Sequence, residues 1–198
     1  TELAAALGVT ASTVSASLKR LAREGMIKYR PYGTIELTEE GERIGRAVVR
    51  RHRIIETYLA KSLGMPWDQV HDEADRLEHA ASEALVERMD EALGHPDADP
   101  HGDPIPRDHD PSRSGVVLMS SVAAGTDVQV VRVSDANPDI LRFLAERGIA
   151  IGFDVVSSRN YARLTKPAEG GDGNLRRGVD PNKDQTNELG VLDNHEHA

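Results

Sequence analysis

Between Thr1 and Leu37 two short helical patterns, a glycine turn and a basic hairpin follow one another, and few folds accept that order. Leu3 and Leu7 are spaced i, i+4, and Gly8 stands where a helix ends. Thr10-Ala11-Ser12-Thr13 supplies capping hydroxyls for a second helix that runs to about Arg23. In it Val14, Leu18, Leu21 and Ala22 face inward, leaving Ser12, Thr13, Ser15, Ser17 and Lys19 on the outer side and its edges. Gly25 breaks that helix. Met26–Arg30 reads as a strand, Pro31–Thr34 as a turn and Ile35–Leu37 as the return strand. A lone pair of Ala/Leu/Ser helices would mean only ordinary packing. The full ordered set predicts a winged helix-turn-helix, its second helix entering the major groove of double-stranded DNA. Small hydroxyls at that helix's start can reach phosphates or base edges, and Lys28 and Arg30 give the wing positive charge.

The net charge of -9 suits a nucleic-acid binder only once it is divided. Residues 1–53 hold ten Lys/Arg against six Asp/Glu, net +4, and the remainder holds 14 against 27, net -13. A basic segment joined to an acidic body separates phosphate contact from cation binding. The absence of cysteine removes disulfides and thiolate metal sites. No apolar run is long enough for a bilayer and no secretory signal precedes the first helix, so no membrane role and a cytoplasmic location are expected.

Thr38 caps a long helix running from Glu39 or Glu40 to about Leu63, ended by Gly64-Met65-Pro66. A further helix is expected from about Asp68 to Leu93, with Leu85, Val86, Met89 and Leu93 apolar enough to pack on a second subunit. On it His71, Asp75, Glu78 and His79 fall within an arc of about 100°. They lie beside the apolar stripe Val70, Ala74, Leu77, Ala81 and Leu85. His52 and Glu56, spaced i, i+4, share a face of the preceding helix. Charged helix faces are usually just solvated, yet two successive helices offering imidazoles and carboxylates can hold divalent cations between them. This borderline-to-hard donor set suits Mn(II) or Fe(II) and tolerates Co(II), Ni(II) or Zn(II).

From Gly94 to residue 115 the chain is rich in Pro, Gly and Asp and reads as a linker. Strands at Val116–Ser121, Asp127–Val133 and Phe153–Ser157, with a helix at Pro138–Arg147, make a small β-rich module of the partial-barrel kind. Residues 167–198 are polar and Gly/Asp/Asn-rich, and read as a disordered tail. The fold class expected is mainly α with small β. The domains expected are a winged-helix DNA-binding domain (1–46), a metal-binding and dimerisation domain (47–110), the β module (116–166) and the tail (167–198).

Arg51-His52-Arg53-Ile54-Ile55-Glu56, then Val70-His71-Asp72-Glu73-Ala74-Asp75-Arg76-Leu77-Glu78-His79, then Asp103-Pro104-Ile105-Pro106 closely resemble the iron- and manganese-dependent repressors of the diphtheria-toxin-repressor (DtxR/MntR) family. The resemblance covers residues 1 to about 110 strongly and 116–165 loosely. It implies that Asp75, Glu78 and His79 belong to a regulatory metal site, and His52, Glu56 and His71 to an ancillary or binuclear one. It makes Thr10, Ser12, Thr13 and Ser15 operator contacts and the β module SH3-like (FeoA-like), with Asp135 and Asp139 as possible further ligands. Iron-responsive members carry cysteine where this chain has Asp75, which points to a manganese-type sensor. The family's first helix has no counterpart here, so the sequence reads as N-terminally incomplete. Its last 30 or so residues do not read as closing strands of the barrel.

The expectation is a homodimeric, non-enzymatic, Mn(II)-activated repressor of metal-uptake genes on a pseudo-palindromic operator. The alternatives are an Fe(II)-responsive repressor of the same family and a winged-helix regulator whose metal site is structural. A metallohydrolase using His71, Glu78 and His79 ranks last, because nothing supplies a substrate pocket and the winged helix would be superfluous.

Overall fold

The computed structural model describes residues 2–30, 33–107, 116–156, 163–164 and 189–193. It divides into two units, Thr1–Arg50 and Arg51–Ala198, the division falling inside one long helix.

The first unit runs α1 (Glu2–Ala6), α2 (Ala11–Arg23), β1 (Ile27–Tyr29) and β2 (Ile35–Leu37), then the first half of α3 (Glu39–Leu63). Gly8, at φ 61°, ends α1, and the Thr10 hydroxyl caps α2 by accepting from the Thr13 amide. Val14 and Ile27 are buried, and β1 pairs antiparallel with β2 through Lys28 opposite Glu36. Thr38 then ties hairpin to helix: its hydroxyl donates to the Gly25 carbonyl at 2.6 Å and accepts from the Gly41 amide at 3.0 Å. Gly41 lies so close to the hairpin that an added Cβ would stand 1.9 Å from the Met26 carbonyl oxygen. Hence α3 starts on a fixed contact and only glycine fits there.

In the second unit α3 packs its second half against α4 (Val70–Glu78) and α5 (Glu83–Ala92). Ile54, Ile55, Leu59, Val70, Ala74 and Val86 form the core, closed by Ile105. The single helix expected over 68–93 is in fact two. Ser82 accepts from the Leu85 amide and starts α5 afresh, and no glycine or proline marks that break in the sequence. Asp68 is not the cap of α4; it pairs with Arg142 at 3.3 Å, and α4 begins after Gln69. Of the apolar residues expected to meet a second subunit, Val86 is fully buried, Met89 and Leu93 are half-buried against the core, and Leu85 is exposed.

The expected linker behaves otherwise over 94–107. It has no regular element, yet Asp99, His101, Asp103 and Ile105 are buried and Ala98 bridges Pro104. Buried polar side chains inside it take the place of ladder bonds: Asp99 Oδ1 accepts from the His101 and Asp103 amides at 2.8 and 2.9 Å. Residues 108–115 lie outside the described residues.

The remaining elements are β3 (Val116–Leu118), a 3-10 turn (Met119–Ser121), β4 (Asp127–Val133), α6 (Pro138–Ala145), β5 (Asp154–Val156), β6 (Arg163–Leu164) and β7 (Leu189–Asp193). The strands form one antiparallel sheet in the order β3-β7-β4-β5-β6. Val128, Val130, Val133, Leu141, Ile149 and Val155 make its core, with Trp67 packed against it. β7 lies within the stretch expected as a tail. Leu189-Gly190-Val191-Leu192 is a short apolar run that gains backbone pairing on both sides, opposite β3 and β4. The rest of 167–198 lies outside the described residues.

Candidate metal centre and nucleic-acid interface

Helical spacing sets the first donors. His52 and Glu56, one turn apart on α3, face His71, Asp75 and Glu78, spaced i, i+4, i+7 on α4. His52 Nε2, Glu56 Oε1 and His71 Nδ1 form a triangle with edges of 3.0, 3.1 and 3.2 Å. Two neighbouring ligands at about 2.1–2.2 Å from an octahedral ion stand about 3.0–3.1 Å apart, so this triangle has the size of one octahedral face. Asp135, from the loop after β4, brings Oδ2 to 3.3 Å from His71 Nδ1.

His52 turns its other nitrogen away. Nδ1 is 2.9 Å from Glu78 Oε2 and 3.4 Å from Asp75 Oδ1. A neutral His52 that donates from Nδ1 to Glu78 presents a bare Nε2 to the triangle, which is how carboxylate–histidine pairs orient metal ligands. Burial disfavours the imidazolium, but hydrogen bonds and charge from Glu56 and Glu78 outweigh it and raise the His52 pKa to about 9. Burial likewise pushes the Glu56 carboxyl up, while His52 pulls it further down, leaving it below the ordinary carboxylate range.

The sequence did not single out Asp99 and His101. With Glu56 they form a wholly buried donor group, alongside His52–Glu56–His71 and His52–Asp75–Glu78, and within each group the donor atoms lie within 4.8 Å of one another. Burial raises the Asp99 carboxyl to about 6, the nearby His101 opposing this. His101 Nδ1 is buried with no hydrogen-bond partner among the described residues, an orphan lone pair that fits a cation beside these carboxylates. Asp99-Pro100-His101 sits in the Pro/Gly/Asp-rich stretch, and an acid and an imidazole two residues apart was the signal available there.

Two expected ligands stay outside. His79 ends α4 as its C-cap residue with a side chain 84% exposed, 3.9 Å from Glu78, because the helix stops before carrying it onto the shared face. Asp139 is likewise 84% exposed and pairs with Arg142, one turn along α6. The structure therefore does not gather Asp75, Glu78 and His79 into one group.

In the first unit Thr10, Ser12 and Thr13 are exposed at the start of α2 and Ser15 is half-buried. Thr10 Oγ1 is bonded to both the Ser12 and Thr13 hydroxyls at 2.8 Å, so it orders the cluster as well as capping the helix. Lys28 and Arg30 are exposed on the hairpin.

Two domain families match the chain: the iron dependent repressor N-terminal DNA binding domain over residues 1–35, and the iron dependent repressor metal binding and dimerisation domain over 38–107. The chain belongs to the iron-dependent repressor family. It is 34% identical over 137 residues to the iron-dependent repressor IdeR of Mycobacterium tuberculosis, covering 65% of this chain and spanning only 60% of that relative's length. A solved manganese-dependent transcriptional repressor in complex with manganese is 43% identical, with a TM-score of 0.72, covering 78% of this chain and 71% of that one. A different likeness, 72% identity over 53 residues, is to the tRNA-specific 2-thiouridylase MnmA of Corynebacterium glutamicum. It spans 27% of this chain but 14% of that protein, too little to bring an activity with it. Among the described residues no helix is long and apolar enough to cross a membrane.

Proposed function

We propose that this chain is a metal-dependent transcriptional repressor, acting in the cytoplasm as a homodimer on a pseudo-palindromic operator, with Mn(II) as its metal. The observation that carries this reading is the His52–Glu56–His71 triangle, whose edges of 3.0–3.2 Å suit an octahedral ion. His52 Nε2, Glu56 and His71 would hold the ion, with Asp135 beside them. Asp75 and Glu78 fix the His52 tautomer, and Asp99 and His101 serve a second ion that shares Glu56. His79, at the edge of α4, would join only after moving, and Asp139 takes no part. The sheet from β3 to β7 is read as an SH3-like module that contributes Asp135. An all-oxygen-and-imidazole donor set without cysteine favours Mn(II), and the likeness to a manganese-bound repressor supports the same metal.

On the DNA side, Ser12, Thr13 and Ser15 are read as base-edge or phosphate contacts, with Thr10 ordering them and Lys28 and Arg30 on the backbone. A metal held by these residues would supply charge neutralisation to the carboxylate-rich site. Coupling to DNA affinity is expected on the order of 1–3 kcal/mol. Operator binding titrated with Mn(II), Fe(II) and Zn(II) tests this directly. Mn(II) should tighten binding five-fold or more on that scale, and equal affinity with and without every metal would sink the proposal. The likeness to IdeR keeps an Fe(II)-responsive repressor as the second reading, and the same titration would select it if Fe(II) alone tightened binding.

A further inference from the structure

The segment from Asp97 to Ile105 faces two partners. Toward α3 it presents Asp99 and His101, which join Glu56 in the third donor group, and the Arg53 guanidinium stands 3.6 Å from Asp99 Oδ2. Toward β4 it presents Asp103, whose Oδ1 pairs with Arg132 Nε at 2.8 Å and lies 3.5 Å from Arg53 Nη2. On the same side the His101 carbonyl accepts from the Val133 amide at 2.9 Å. Gly102, at φ 88°, is pressed so closely on that strand that a Cβ would lie 2.0 Å from the Val131 carbonyl oxygen.

His101 is gripped from a third direction. Its Nε2 is 2.8 Å from the Trp67 carbonyl oxygen, so Nε2 carries the proton and Nδ1 is the bare nitrogen. Nδ1 stands 4.0 Å from Asp99 Oδ1 and has no hydrogen-bond partner among the described residues. Trp67 is itself anchored, its indole N–H donating to the Leu141 carbonyl of α6 at 3.0 Å. Thus two of the contacts that aim the His101 lone pair, through Trp67 and through the Val133 amide, lead back to the C-terminal sheet and its helix.

We propose that Gly102, Arg132 and Trp67 are positioning residues that make the third donor group depend on this loop's docking to β4. Filling the group and docking the loop then favour each other, as reciprocal linkage requires. The inference rests on the reading that Glu56, Asp99 and His101 take a divalent cation.

The test uses Mn(II) alone and the chain's single tryptophan. Trp67 stacks on His101 with ring centroids 6.1 Å apart and 19° between planes, so its emission reports on that group. Mn(II) should change Trp67 emission in the unaltered chain and not in Asp99→Ala. In Arg132→Ala and Gly102→Ala the midpoint should rise on the order of tenfold, while the Mn(II) held through His52 and His71, counted by equilibrium dialysis, stays. Mn(II) should also slow hydrogen exchange at the Val133 amide. A folded Arg132→Ala chain with an unshifted midpoint and unchanged Val133 protection would overturn the proposal, even if Gly102→Ala failed to fold. Mn(II) bound by dialysis but silent at Trp67 would remove the third group and the inference with it. No Mn(II) bound at all would instead overturn the metal reading itself.

Discussion

His52 gives its two nitrogens different tasks, Nδ1 to Glu78 and Nε2 to Glu56 and His71, and so it is charged when no ion is present. Its pKa is raised from 6.5 to about 9, so the stability it contributes is full below pH 6.5 and is lost as the pH climbs through 9. Chelator-treated protein should lose on the order of 1–2 kcal/mol of unfolding free energy between about pH 7 and pH 9.5, read by urea denaturation. His52→Gln should flatten that slope; an equal slope in the variant would assign it to another group. An ion must displace the same proton, so apparent Mn(II) affinity should rise with pH up to about 9, with proton release visible in calorimetry in two buffers of different ionisation enthalpy. Asp99 adds a second window at lower pH. With its carboxyl raised from 3.8 to about 6, its contribution to folding is greatest below 3.8 and fades as the pH passes 6.

Local chemistry decides whether each helix begins and ends where the site needs it. Gly41→Ala would drive a methyl into the Met26 carbonyl and should destabilise the first unit by about 1–3 kcal/mol, measured as a lowered melting temperature with Mn(II) binding retained. Ser82→Ala removes the cap of α5 and should cost about 1 kcal/mol. If the Ser82 variant melted with the parent, the cap would not matter. These same signals explain what was readable in advance. The 3.6-residue period placed His52 with Glu56 and His71 with Asp75 and Glu78, and the Gly8 and Thr10 punctuation located α1 and α2. Periodicity cannot see a capping serine between two alanine-rich turns, so the break that leaves His79 exposed was hidden. Nor can composition separate a solvated Pro/Asp-rich linker from one whose acids are buried among arginines, as Asp99 and Asp103 are with Arg53. β7 was missed because its pairing partners lie more than fifty residues away in sequence.

At the scale of the whole molecule, charge is split between a basic N-terminal part and an acidic remainder. Operator affinity should fall linearly with the logarithm of salt concentration, with a slope of about -0.9 for each phosphate contact. Lys28→Ala and Arg30→Ala should each flatten that slope by roughly one unit, read by fluorescence anisotropy across a salt series. A slope unmoved by either change would take the hairpin off the DNA backbone. The donor groups also set a limit in ions per chain. Among the described residues three groups are built from seven residues, because His52 belongs to two and Glu56 to two. A neutral imidazole gives one lone pair, so the two groups that share His52 exclude each other, whereas a carboxylate has an oxygen for each neighbour. Native mass spectrometry should therefore count no more than two Mn(II) held by these groups per chain, and a third that sits elsewhere would be lost on changing none of the seven residues. There are more places than donors to fill them, so a first ion would decide where a second could go.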